Sequence, residues 1–224
     1  MHEYQYGFTP NKSTEHAIQK MQDVLKMNES KNLHSIIISI DIQAAFDSIR
    51  WKDLIKILEI ISCPQDIRHI IKDYLCNRTL QYSSDSGVIN YKLTKGCPQG
   101  SCLRPTFWNL IANEVLKLCD NINHTHIQAY ADDFLLIVNA SRRKSIEINS
   151  GYSLKIFRNW TDKFHLKIST TKCKALYIPK RGTSINNLRK PIIRISQEKI
   201  KVDKSITYHV YLTILALPYS ISQK

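Results

Sequence analysis

The stretch AYADDFLLIV, residues 129–138, sets Asp132 and Asp133 side by side inside an otherwise apolar run. Two like charges among residues marked for burial repel each other and lose hydration, at a cost of several kcal/mol unless something compensates. One arrangement that accommodates them is a polar hairpin turn between two strands, since Asp is a favoured turn residue. The other is a site where a metal supplies the missing positive charge. The rest of the chain has to decide between them.

The 224 residues suit one large domain or one and a half ordinary ones, and at 43% hydrophobic they are enough for a real core, so disorder throughout is not expected. The opening MHEYQYGFTP lacks the apolar region of a secretory signal, and IIISI and FLLIV are far too short to span a bilayer. An intracellular protein, nuclear or cytoplasmic and without a membrane partner, is the expectation. Six cysteines are scattered with no CxxC pair. Cys97 and Cys102 with His124 or His126 lack the tight paired spacing of structural zinc sites, so reduced thiols are expected.

The formal charge of +13 is unevenly placed. Residues 1–141 hold 14 Lys/Arg against 15 Asp/Glu, while residues 142–204 hold 17 against 4. Positive charge gathered in one third of the chain is the footprint of a phosphate-backbone partner, although any single lysine there is as well explained by solvation.

Ser13 and Thr14 are candidate caps for a helix with Ile18, Met21, Val24 and Leu25 on one face. HSIIISIDI is a β-branched run without helical period, a buried strand ending near Asp41. WKDLIKILEIIS and PQDIRHIIKDYLCN read as helices, and TLQYSSDSGVINYKL as a hairpin. TFWNLIANEVLKLC reads as a helix on Phe107, Leu110, Ile111, Val115 and Leu118, and IQAYADDFLLIV as strand–turn–strand. SIEINSGYSLKIFRNWTDKF is expected to be helical with Ile156, Trp160 and Phe164 inward, followed by short strands. This order implies an α+β layer, an antiparallel sheet with helices packed on one face. If the strands of Asp41 and Asp132–Asp133 are neighbours, three acids meet at one point, with no lysine or arginine expected among them.

Four segments in order, IDIQAAFDSI, KGCPQGSCLRPTFWNL, AYADDFLLIV and LKISTTKCKALYIPK, resemble successive palm motifs of a reverse transcriptase, of the non-LTR, LINE-like or jockey type. YQYGFTPNKSTEHAI is similar to the segment linking fingers to palm in that family. The resemblance implies a linking segment at 1–34, a polymerase palm at 35–178, and a degenerate primer-grip region and tail at 179–224. It implies an RNA-directed DNA polymerase that joins a primer 3′-hydroxyl to the α-phosphate of a deoxynucleotide. RNA template, DNA primer and deoxynucleoside triphosphates are the implied partners. Two Mg²⁺ ions, with Mn²⁺ as a substitute, are the implied cofactors, because hard cations held by carboxylates serve both the attacking and the leaving oxygen.

By this resemblance Asp41 and Asp132 are bridging metal ligands, with Asp133 a weaker or outer ligand and the Ile42 carbonyl a further oxygen. Phe46, five residues after Asp41, occupies the place of a steric gate against the 2′-hydroxyl, though composition alone would make it a core aromatic. Gln99, followed by Gly100 in the GCPQGS loop, occupies a place that contacts nucleotide or template. Lys172 matches a candidate general acid for pyrophosphate, and a solvated lysine is the competing reading. Asp47 is expected to cap a helix.

The sequence departs from the family in several places. Arg104 stands where a small residue is usual, and Thr9 where an arginine is. The upstream fingers, the thumb and an endonuclease are not seen, and TYHVYLTILALPYSISQK lacks the glycine of a primer grip. Salt-sensitive nucleic-acid binding with little primer extension is therefore expected of this chain alone. A non-catalytic palm-like nucleic-acid-binding relic and an intron-maturase-like RNA-binding protein are the competing readings.

Overall fold

A computed structural model describes residues 1–85, 87–183, 189–195, 197–208, 212–215 and 221–223. The first helix, α1 (Thr14–Ser30), begins at Ser13, whose hydroxyl accepts from the His16 backbone while the His16 ring accepts from the Ser13 amide. This reciprocal cap satisfies two amides that a helix end leaves open. Strand β1 (His34–Asp41) is the isoleucine run, whose branched side chains suit a pleated, buried strand. A short 3-10 turn (Ala45–Asp47) leads to α2 (Trp51–Ile60) and α3 (Gln65–Leu75). Strands β2 (Thr79–Ser84) and β3 (Gly87–Lys92) form the expected hairpin.

Helix α4 (Leu103–Asp120) follows, then β4 (Thr125–Tyr130), β5 (Asp133–Ala140), α5 (Arg143–Lys163), β6 (Lys174–Ile178), β7 (Ile193–Ile195) and β8 (Glu198–Asp203). The main sheet has six strands in the order β4-β5-β1-β6-β8-β7, antiparallel except for the parallel β6–β8 pair. Strands β9 (Ser205–Tyr208), β10 (Leu212–Leu215) and β11 (Ile221–Gln223) form a small separate sheet. The expected degenerate primer grip falls here. Here β9 and β10 pair antiparallel, and residues 209–211 and 216–220 lie outside the described residues.

Strand alternation divides the core in two. Ile36, Ile38, Ile40, Phe134, Leu136 and Val138 face α2, α3, α4 and α5 in one cluster. Ile37, Leu135, Ile137 and Leu176 face the other way and meet Ala17, Met21, Val24 and Leu25 of α1. Each such side chain, fully buried, contributes about 1.5–3 kcal/mol as an upper estimate. The expected single helical layer therefore holds for α2–α5, while α1 covers part of the opposite face.

The aromatic centre is Trp108, Phe134, Phe157 and Trp160, packed edge to face with centroids 5.1–6.5 Å apart. Phe157 takes the central place that the sequence pattern assigned to Ile156, which is only partly buried. In α4 the helix is covered on more than one side: Trp108, Ala112, Leu116 and Cys119 are buried beside Phe107, Ile111 and Val115, and Leu118 is exposed.

Candidate active site

Asp41 ends β1, and its Cα stands directly opposite that of Asp133, the first residue of β5. Directly opposed residues of an antiparallel pair share a face, here the face that α1 covers. That cover runs out toward the acids. Along β1 the positions on this face pass from buried at Ser35 and Ile37 to half-buried at Ser39 and Asp41, while Ile36, Ile38, Ile40 and Ile42 on the opposite face stay buried throughout. The sheet thus presents its carboxylates at an open end.

Asp132 occupies the tight turn between β4 and β5, as the turn reading of the acidic pair expects, while Asp133 already begins β5 opposite Asp41. Burial holds the Asp132 carboxyl above the usual carboxylate range; the nearby Asp41 charge adds to this, while an Asp132 backbone hydrogen bond, Lys172 and Arg104 oppose it. The turn is held from behind. Ala131 takes a left-handed backbone at φ 57°, and the Trp108 indole donates to its carbonyl at 2.8 Å. Tyr4–Tyr6 pairs with β4, the Tyr6 amide donating to Ala129 and the Ala129 amide to Tyr4. This brings Gly7 so close that a Cβ there would lie 2.1 Å from the Ala131 nitrogen. The amide of buried Asn109 donates to the Gly7 carbonyl at 2.9 Å. Gly7, Asn109 and Trp108 escaped the sequence reading, which has no local signal for a glycine pressed by a turn over a hundred residues away.

Opposite the turn, the segment between α5 and β6 backs Asp41: the Ser169 amide donates to the Asp41 carbonyl, and Ile42 bridges to Ile168. Lys172 follows in this segment, its ammonium 3.5 Å from Asp41 Oδ2. The expectation that no cation stands among the acids is therefore not met. Among the described residues no three His, Cys, Asp or Glu side chains lie together closely enough to hold a metal; the three expected acids do not form one compact cluster. Still, Asp41 Oδ2 is buried and engages in no hydrogen bond, and the Asp41 charge bears on a half-buried Asp132. A buried carboxylate oxygen that accepts no hydrogen bond, its charge met by Lys172 at 3.5 Å and a second carboxylate nearby, fits a hard divalent cation, which takes oxygen ligands and completes its shell from substrate and water.

Phe46 lies in the 3-10 turn, half-buried between Trp108 at 5.7 Å and the exposed Phe8 at 6.2 Å. Arg104 spans from this turn to the GCPQGS loop: its guanidinium lies 5.0 Å over the Phe46 ring, pairs with Asp47 at 3.0 Å and donates to the Cys97 carbonyl at 2.9 Å. Asp47 is therefore an ion-pair partner and not a helix cap; α2 starts at Trp51, and Arg50 at its cap position makes no side-chain capping bond. In the loop, Gly96 and Gly100 adopt φ of 83° and 85°, a conformation that costs glycine little. Gln99 and Gly100 are exposed. Cys97 is buried in that loop, Cys102 is exposed, and the His126 ring packs edge-on against Tyr4.

The family model described as reverse transcriptase (RNA-dependent DNA polymerase) matches residues 1–208. The chain belongs to the reverse transcriptase family. It is 29% identical, over 92% of its length, to a retrovirus-related Pol polyprotein from the type-1 retrotransposable element R1 of Bradysia coprophila. It is 26% identical, over 94% of its length, to the RNA-directed DNA polymerase from mobile element jockey of Drosophila melanogaster. The chain spans about a fifth of the length of the first and 24% of the second. Telomerase from Candida albicans, solved with a fragment of telomeric RNA, superposes with a TM-score of 0.66 over 99% of this chain and 34% of that one, at 14% identity. This member of the reverse transcriptase family thus has the palm fold expected from its motifs. Among the described residues no helix is long and apolar enough to cross a membrane.

Proposed function

We propose that this reverse transcriptase palm belongs to a non-LTR retrotransposon Pol protein and performs RNA-directed DNA synthesis, adding deoxynucleotides to a primer 3′-hydroxyl on an RNA template. The observation that carries the reading is the pairing of Asp41 with Asp133, beside the Asp132 turn, at the uncovered end of the sheet. Asp41 and Asp132 would hold divalent cations, Mg²⁺ or Mn²⁺, with Asp133 and the Ile42 carbonyl as further oxygens. Such ions, when bound, supply positive charge for the attacking and leaving oxygens.

The remaining roles fall to the chain's own residues. Lys172, paired with Asp41 from the α5–β6 segment, would deliver a proton to a leaving phosphate oxygen. Phe46, pinned by Arg104 and Trp108, bounds the sugar and excludes a 2′-hydroxyl. Gln99 and Gly100 let main chain and amide approach a base pair. The test is a graft of residues 1–208 into a complete R1-type Pol protein, assayed on poly(A) primed with oligo(dT). Extension is expected and is lost on Asp132→Ala; equal extension by that variant would reject the assignment. In the same graft Phe46→Val is expected to admit ribonucleotides.

One observation favours a second reading, a palm that binds nucleic acid without catalysis: Lys172 already neutralises Asp41. Mn²⁺ titration followed by paramagnetic relaxation separates the two. Broadening around residues 41 and 132 that disappears in Asp132→Ala supports the metal site, and no broadening supports the non-catalytic palm.

A further inference from the structure

Helices α2 and α3 meet at an angle that leaves a groove of about 490 Å³ between them. Its lining includes the apolar Trp51, Ile55 and Leu75 and the cationic Lys52, Lys56, Arg68 and Lys72. The acidic side chain in the lining is Glu59, which Arg68 already neutralises at 3.5 Å. The Arg68 Nε is buried and has no hydrogen-bond partner. Asp53, Asp66 and Asp73 of the same two helices stand outside the lining, and Asp53 is paired with Arg50.

This concentration of cations is local. It lies within residues 1–141, whose Lys/Arg and Asp/Glu nearly balance, so it is no part of the basic excess at 142–204. The groove also has a fixed relation to the GCPQGS loop. The Trp51 indole donates to the Gly96 carbonyl at 2.7 Å, the Trp51 amide to Thr94, and Arg50 bridges to Lys95. Trp51 of the groove lining is therefore tied directly to the segment that leads into the Gly96–Gly100 turn.

We propose that this groove is a second nucleic-acid site, which takes a single strand with its phosphates on Lys52, Lys56 and Lys72 and its bases against Trp51 and Ile55. A cationic rim along an aromatic and aliphatic floor is the chemistry that holds single strands without reading their sequence, charge tracking the backbone and flat side chains accepting bases. A small anionic metabolite would leave most of these cations unused. The site does not depend on whether the chain polymerises.

The test uses the full chain and a fluorescein-labelled oligouridylate of about 12 nucleotides, with affinity measured by anisotropy across a salt series. Single-strand binding loses about 0.7 in the slope of log K against log salt for each phosphate contact removed. The variant Lys52→Ala/Lys56→Ala/Lys72→Ala is expected to lower the slope by about 2, and the corresponding triple Lys→Arg variant to keep it. A second triple, Lys144→Ala/Lys155→Ala/Lys199→Ala, reports on the basic third separately. An unchanged slope in the groove variant, an equal loss in its arginine counterpart, or no binding by the parent chain would overturn the proposal.

Discussion

At the scale of single residues, the acids at the open end of the sheet depend on neighbours that do no chemistry. Gly7 is the sharpest case, because its Cα presses on the turn that carries Asp132. A methyl group there would require the Tyr4–Gly7 segment or the turn to move, since the Ala131 backbone cannot yield as a flexible side chain would. Overpacking of this kind costs about 1–3 kcal/mol, so Gly7→Ala should lower the urea midpoint with an unchanged m-value. Gly151 of α5 is exposed and meets nothing within 4 Å of a built Cβ, and Gly151→Ala should be neutral or stabilising.

His126 sets an acid limit. Burial holds its ring down at about 4, against a smaller upward pull from its hydrogen bond to Gln128. The folded value lies below the unfolded one near 6.5, so the stabilisation is complete above pH 6.5. It is lost as the pH falls from 6.5 toward 4, where the unfolded chain takes up the proton first. The loss amounts to about 3 kcal/mol at most. His34 is shifted downward too, chiefly by burial, and loses stability in the same direction. His126→Gln should flatten the fall in melting temperature over that window.

At the scale of elements, the β2–β3 hairpin differs from the main sheet. Its register places Leu80 opposite Tyr91 and Tyr82 opposite Ile89, so these four share one face, while Thr79, Gln81, Asn90 and Lys92 share the other. All four apolar side chains are largely exposed. A two-stranded ribbon without a third strand or a covering helix is marginal in water. Its amides should therefore exchange with deuterium orders of magnitude faster than those of β1 and β5, which lie inside the six-stranded sheet. Protection of residues 79–92 equal to that of 35–40 would show that the ribbon is stabilised within this chain.

Helix α4 shows why element-level reading stops short. A one-face apolar pattern found Phe107, Ile111 and Val115. Trp108, Leu116 and Cys119 are buried as well, because α4 packs against β4 and α5 at once. An apolar position on the second side of a helix carries no periodic mark that separates it from an exposed Leu such as Leu118.

At the scale of the molecule, charge and fold divide the work. The open sheet end and the GCPQGS loop gather the candidate chemistry, while the basic excess at 142–204 supplies a general attraction to phosphate. Binding of the whole chain to RNA or DNA should therefore weaken steadily as salt rises, through loss of counterion release. Alignment is more demanding, since displacement by about 1 Å can cost on the order of 100-fold in rate. Salt-independent affinity in a filter-binding series would mean that the basic third is only a solvated surface.

Much of this protein was legible before any coordinates. The isoleucine run ending at Asp41, the acids in a turn between two strands, the β2–β3 hairpin and the order of motifs are local features, governed by side-chain period and turn chemistry that act over a few residues. The register that sets Asp41 across from Asp133 was legible only as a condition, that the two strands be neighbours, and the sheet order satisfies it. What only the tertiary structure decided lies between distant segments. Gly7 beneath Ala131, Arg104 across Phe46 and Asp47, Lys172 on Asp41, and α1 covering one end of the acid-bearing face while leaving the other open all join residues far apart in the chain. Their contacts arise from packing and from the pairing of buried polar groups, and neither leaves a periodic trace in the residues that make them.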